Sequence, residues 1–350
     1  MQGADPDAPM RAWRTALRVW RGDYIENRHV AHVAVVTADG RLVGAFNDPH
    51  RPTLVRSAAK PAQALAVLEA APGLAKRLGS ADLALMCASH SAEPEHLAKA
   101  CEMMTRFGVT ETDLVCGGHP SLSARVNRHW IREGFEPGAV CSNCSGKHIG
   151  MAAAAIEMTG TPCRYEASDH PLQQRVRQVL CELTDLAPEQ IGWAVDGCHL
   201  PTPAMPLSRL ARLYARLAES ADVAPQHAEA DPRVQRLATI YRSMSGHPQL
   251  VAGNERFCTR LMQAAGGALI GKVGAEGVYA VGLRARPGRP ALGMAVKVED
   301  GHGVVVETLV CAALRHWQAM PSGLEDIEKP RLLNTAGAVI GRMEPRLAFD

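Results

Sequence analysis

Six residues near the start of the chain, Arg56-Ser57-Ala58-Ala59-Lys60-Pro61, set a hydroxyl and an amine three positions apart. Pro61 opens a run, Ala62-Gln63-Ala64-Leu65-Ala66-Val67-Leu68, that reads as a helix. A proline has no N–H to donate, so it is comfortable only in the first turn of that helix. Positions i and i+3 share a helix face, which puts Ser57 and Lys60 together at the N-terminus. The helix dipole and the orphan N–H groups there stabilise an alkoxide and disfavour an ammonium. A serine so placed can be a nucleophile and a lysine its base. The same two residues would also serve as a helix cap followed by a solvated lysine.

Three further stretches carry reactive side chains. Met86-Cys87-Ala88-Ser89-His90-Ser91 lies between the apolar run Leu83-Ala84-Leu85 and the helix start expected at Glu93-Pro94-Glu95. Its hydroxyls could line a site or cap that helix. Cys141-Ser-Asn-Cys144-Ser-Gly-Lys147-His148 precedes a helical stretch at Ile149–Met158, and Asp196-Gly-Cys198-His199 follows the apolar run Ile191–Val195. Thiolates and imidazoles are the usual zinc ligands, yet the second pair is not Cys-x-x-Cys, so this is no zinc ribbon. Reduced cysteines packed as small apolar residues would explain the same pattern. Finally, Gly271-Lys272-Val273-Gly274 precedes an apolar segment. A Lys-x-Gly strand of this kind borders the site of acyl-enzymes that use a Ser-x-x-Lys pair.

These residues sit in a chain of 350, long enough for a substantial core. Its 47% hydrophobic and 21% charged composition is that of an ordinary globular protein. A formal net charge of +2 with only 4% aromatic residues gives no case for a nucleic-acid or membrane partner. No run approaches the ~18 apolar residues of a membrane span, and residues 1–10, acidic and Pro-containing, do not read as a signal peptide. Ten cysteines in such a chain read as reduced thiols or metal ligands rather than a disulfide framework, which points to the cytoplasm.

The elements that must position the reactive residues divide by place in the sequence. Val30–Val36 and Leu42–Phe46 read as strands joined by the Asp39-Gly40 hairpin signal, and Gly277–Leu283 and Ala291–Val298 as strands joined by the turn around Gly288. Thr308–Trp317 reads as a helix. Helical spacing marks Glu95–Phe107, Pro171–Leu183, Ala204–Leu217 (after a Pro-rich turn at Pro201–Pro206) and Val234–Met244. The expected fold is α+β, an antiparallel sheet sewn from both chain ends around a helical insertion. Residues 11–60 and 268–350 would form the sheet-containing part and 61–267 the mostly helical part of one compact unit. Residues 1–10 are expected to be disordered. Ser57 then falls at the junction, where clefts form.

Six motifs occur in order: Arg56-Ser-Ala-Ala-Lys-Pro, Cys87-Ala-Ser-His-Ser, Cys144-Ser-Gly-Lys-His, Asp196-Gly-Cys, His247-Pro-Gln-Leu-Val-Ala-Gly and Lys272-Val-Gly-Ala-Glu-Gly-Val-Tyr. Together they resemble the rhizobial-type, thermolabile L-asparaginases, from about Arg21 to Arg315. The resemblance implies a fold similar to serine β-lactamases and glutaminases, and hydrolysis of L-asparagine to L-aspartate and ammonia. It implies two Ser-Lys pairs, Ser57 with Lys60 and Ser89 with Lys272. It also implies one zinc on Cys144, Lys147 and Cys198, where ligand chemistry alone would favour His148 or His199 over Lys147. Arg56, His148 and Asp196 become expected substrate contacts, and the expected assembly is a homodimer.

In the resulting mechanism Ser57 attacks the amide carbonyl while Lys60 takes its proton, and Ser89 relays protons or positions Lys272. A lysine base must be neutral, a state favoured by a second nearby lysine and by a helix N-terminus. Zinc would orient the substrate rather than activate water. Alternatives are a glutaminase or other serine amidase of the same fold and, from a different class, an inactive zinc-stabilised binding protein. All four Ser/Lys positions are present, which speaks against the last.

Overall fold

The computed structural model describes residues 13–223 and 231–350. The disorder expected for residues 1–10 lies outside the described residues. Eleven strands occur in order among these: β1 Thr15–Arg21, β2 Tyr24–Thr37, β3 Leu42–Phe46, β4 Pro52–Leu54, β5 Gly192–Val195, β6 Pro201–Pro206, β7 Leu269–Val273, β8 Val278–Leu283, β9 Leu292–Val298, β10 Arg331–Leu333 and β11 Val339–Pro345. The helices of seven residues or more are α1 Lys60–Ala70, α2 Ser80–Met86, α3 Pro94–Phe107, α4 Ala124–Glu133, α5 Ser145–Thr159, α6 Pro171–Thr184, α7 Leu207–Ser220, α8 Pro232–Gly246, α9 Phe257–Ala265 and α10 Gly303–His316.

The main sheet is antiparallel and runs β10-β11-β1-β2-β9-β8-β7, with β3 added to β2. Every strand in it comes from one of the two chain ends, so the α+β expectation holds. Strand β2 is long enough to serve two neighbourhoods. Its first half pairs with β1, and its second half is held between β9 and β3. The β2–β3 hairpin turns at Gly40, whose φ of +94° is the left-handed conformation that the Asp-Gly signal anticipates.

Strands β8 and β9 are buried along their whole lengths, so both faces are covered. Helix α7 lies on β2, β8 and β9, while α10 packs on β1, β8, β9 and β11. The close approach of α7 depends on two paired glycines, Gly282 and Gly293. A Cβ at Gly293 would collide with the Ala211 carbonyl, and one at Gly282 with that of Tyr214.

One expectation is overturned. Pro201–Pro206, read as a Pro-rich turn, is strand β6, central in a small sheet ordered β4-β6-β5. Prolines in a central strand are unusual because each removes a ladder donor. Here Pro201 and Pro203 are two residues apart, so both lost N–H groups face the same side. That side still accepts, since Val55 N–H donates to the Pro203 carbonyl at 3.0 Å. Thr202 and Ala204 face β5 with their donors intact. The following helix therefore starts at Leu207, not Ala204. The ten cysteines are free thiols, and no helix among the described residues is long and apolar enough to cross a membrane.

Candidate active site

Ser57 lies in a one-turn 3-10 segment, Arg56–Ala59, that leads from β4 into α1, with Pro61 in the first turn of α1 as expected. Arg56 holds a left-handed backbone, φ +50°, which costs a non-glycine residue on the order of 1–3 kcal/mol and persists only where surroundings enforce it. They do so on several sides. Val55 is tied to β6, the buried Tyr214 hydroxyl donates to the Ala58 carbonyl at 2.9 Å, and Arg56 Nε donates to Asp196 Oδ1 at 2.7 Å. The strained turn presents Ser57 to a cleft of about 270 Å³ lined by Arg56, Ser57, Cys116, His119, Asn143, Cys144, Asp196 and Cys198.

Lys60 does not turn back to Ser57. Its Nζ donates to the Ala88 carbonyl and to Ser89 Oγ at 3.3 Å. Lys272, on β7, donates to the same Ser89 Oγ at 2.8 Å and to the Val273 carbonyl at 2.8 Å. Two lysines thus meet on one hydroxyl, and three distant stretches of sequence converge. Ser89 follows α2 and is pinned by its own N–H to the Val251 carbonyl at 2.9 Å. All three side chains are buried, whereas Ser57 is half-buried. Burial, reinforced by the charge of Lys60, lowers the Lys272 pKa to about 7.

The expected metal ligands also come together. Cys144 immediately precedes the first turn of α5, Lys147 sits in that turn, and Cys198 lies in the tight turn after β5. Lys147 Nζ donates to Cys198 Sγ at 3.1 Å, and the two thiols contact one another. Hydrogen bonding from Cys198, aided by Lys60 and Lys147, holds Cys144 well below the ordinary thiol range, while the same contact and burial push Cys198 up. Burial opposes the Lys147 charge, but the Cys144–Cys198 pair, with Cys144 ionised, outweighs it and holds the ammonium above its usual range. Two soft donors, one of them ionised, and an amine at contact distance are a donor set that suits zinc once the amine loses its proton. Among the described residues no group of three His, Cys, Asp or Glu forms such a set, so lysine is essential to this one.

His148 is fully buried and outside the cleft lining. Its Nδ1 meets the Tyr165 hydroxyl at 2.6 Å and its Nε2 has no partner, while burial, then the charge of Lys147, keep the ring neutral. Asp196 accepts from Arg56 and from Gly197 N–H at 2.8 Å. Among the cleft-wall residues that escaped the sequence reading are Cys116, His119 and Asn143. His119 Nε2 accepts from Asn143 N–H at 3.0 Å and its Nδ1–H donates to the Pro120 carbonyl at 2.8 Å, so the ring is a fixed wall. The available signal was Cys116-Gly-Gly-His119-Pro120, a reactive residue in a Gly/Pro turn.

The strained serine turn, the buried Ser/Lys cluster and the polar cleft lie together where β4, α1, α2 and β7 meet. The sequence profile of the L-asparaginase II family matches residues 17–345. The chain belongs to that family and is by membership an amidohydrolase, as its six ordered motifs led one to expect. No curated protein matches it. Among solved structures, Mglu in its native form aligns with 14% identity and a TM-score of 0.43, over 84% of this chain and 67% of that one. The Bacillus subtilis glutaminase YbgJ, in covalent complex with 5-oxo-L-norleucine, aligns with 12% identity and a TM-score of 0.39, over 84% and 89%. Likeness at this level identifies neither substrate nor mechanism.

Proposed function

We propose that the chain hydrolyses the side-chain amide of L-asparagine to L-aspartate and ammonia, with Ser57 as nucleophile. The observation that carries this reading is that Ser57 opens on the cleft beside the Arg56–Asp196 pair while its own turn sends Lys60 into the Ser89–Lys272 cluster. Arg56 would receive the substrate α-carboxylate and Asp196 its α-amino group. Ser57 Oγ adds to the amide carbonyl carbon, and its proton is taken up by the Lys60–Ser89–Lys272 cluster, in which Lys272 is the amine of lowered pKa. The C–N bond breaks, ammonia leaves with that proton, and water cleaves the aspartyl ester to restore Ser57.

A second reading makes Ser89 the nucleophile, because both lysines are hydrogen-bonded to it. Its burial and its absence from the cleft lining favour Ser57. A diazoketone analogue of asparagine separates the two: peptide mass mapping should find the adduct on Ser57, and an adduct on Ser89 would transfer the assignment. Ammonia release from asparagine and glutamine on one preparation tests the substrate. Glutamine places its amide about one methylene too far, and a misplacement of roughly 1 Å costs on the order of 100-fold. Equal kcat/KM values would give the lead to the glutaminase alternative.

Zinc belongs to the same proposal. Cys144, Cys198 and Lys147 would hold it, and when bound it would supply a fixed positive charge beside the substrate's polar end. Elemental analysis of protein purified without chelator should find one zinc per chain, lost in Cys198→Ser. We place the enzyme in the cytoplasm as a homodimer, for which light scattering should return twice the chain mass.

A further inference from the structure

A second cleft, of about 510 Å³, opens where β7 begins and β8 ends, between the C-terminus of α9, the β8–β9 turn and the segment after α10. It shares no lining residue with the active-site cleft. One wall is apolar, with Leu269, Leu283 and Met320; the other carries Arg284, Arg286 and Arg289, and among the described residues no aspartate or glutamate lines it. Arg284 is neutralised by Asp222. Among the described residues neither Arg286 nor Arg289 pairs with a carboxylate. Arg286 Nη1 donates to the Gln318 carbonyl and Arg289 Nη2 to the Arg284 carbonyl, each at 2.9 Å. Arg289 Nε and Nη1 are closed off from water without an acceptor among the described residues.

The backbone enforces this pairing of cations. Arg286 and Arg289 bridge one another in both directions at 2.9 Å across Pro287-Gly288, with Gly288 at φ +77°. Like charges held side by side repel, and a guanidinium short of acceptors destabilises the fold. Burial and the neighbouring Arg286 both act against the Arg289 charge. An oxyanion on the exposed Arg286 fork, beside the Arg289 charge, relieves the repulsion between the two, since guanidinium geometry matches carboxylate and phosphate. Carbonyl ends of α9 and α10 border the same cleft, so a ligand with a single anionic group fits better than a polyanion.

We propose that this cleft binds a small molecule carrying one phosphate or carboxylate group and an apolar body, the anion on Arg286 and Arg289 and the body against Leu269 and Leu283. The test is calorimetric titration of the full chain with inorganic phosphate, phenyl phosphate and benzoate, chloride holding ionic strength constant. Saturable binding of an aromatic probe is expected, about 10-fold tighter than inorganic phosphate and about 10-fold weaker in Arg289→Met and in Arg286→Gln. Preference for phenyl phosphate assigns a phosphate ligand and preference for benzoate a carboxylate. Arg56→Met, in the other cleft, should bind as the parent does. The proposal is overturned by absence of saturable binding, by unchanged affinity in the two cleft variants, or by loss of binding in Arg56→Met. Should Arg289→Met fail to fold by circular dichroism, Arg286→Gln, on an exposed turn residue, decides alone.

Discussion

Lys147 and Lys272 are both closed off from water, at 4% and 0% exposure, yet their proton affinities are shifted in opposite directions. Burial by itself drives every lysine towards neutrality. Beside Lys272 stands another lysine, Lys60, whose charge adds to that drive and brings its pKa to about 7. Beside Lys147 stand two thiols sharing one proton, and their charge keeps it an ammonium. Neighbours, not burial, decide which lysine can accept a proton and which can anchor charge.

The contrast breaks most sharply under deletion of each amine. Lys272→Met should lower kcat for asparagine on the order of 10³-fold, the scale of a lost acid/base group, with the fold retained because a neutral side chain already suits the site. Lys147→Met should act mainly on KM and on zinc content. Equal kcat losses in the two variants would abolish the distinction.

The pH profile sharpens the same contrast. If Lys272 accepts the proton, kcat/KM rises about tenfold per pH unit below about 7 and levels above it. Activity that falls between pH 6 and 8 would remove Lys272 as acceptor. Zinc retention should weaken as pH falls, because Lys147 must be deprotonated to ligate; competition with a chelator across pH 6–9 measures this.

Stability offers a smaller signal of defined sign. Between about pH 7 and the ordinary lysine value near 10.4, the unfolded chain carries a proton on Lys272 that the folded chain lacks. Lys272 therefore makes stability rise with pH through that window, by at most about 1.4 kcal/mol per unit. Lys147, its pKa raised, is protonated in both states there and costs stability only as pH climbs beyond it. Urea denaturation of Lys272→Met should show a flatter curve across pH 7–10 than Lys147→Met. The smallest effect is expected for Tyr214→Phe, which removes the hydroxyl that pins the Ser57 turn. A loss of about 1 kcal/mol with a modest drop in kcat at unchanged KM would fit.

Much of this was written in local sequence. Apolar runs flanking an Asp-Gly signal gave β2 and β3, alternation gave β8 and β9, helical patterns gave α3, α6, α8 and α10, and Pro61 located the helix behind Ser57, because each pattern is read from neighbours a few residues away. The Ser/Lys and Cys/Lys positions were legible for the same reason, as short motifs in a fixed order. Partnership was not legible. That Lys60 meets Ser89 rather than Ser57 depends on α2, α1 and β7 meeting in space, across 29 and 183 residues of sequence. Pro201 and Pro203 of β6 spoke for a turn until pairing with β4 and β5 left their missing donors on one tolerant side. His119 joined the wall through one long-range hydrogen bond to Asn143. Sequence determined which groups this chain has and the elements that carry them. Tertiary structure decided their charges, because a buried group's proton affinity is set by whatever the fold packs against it, and that neighbour is seldom near in sequence.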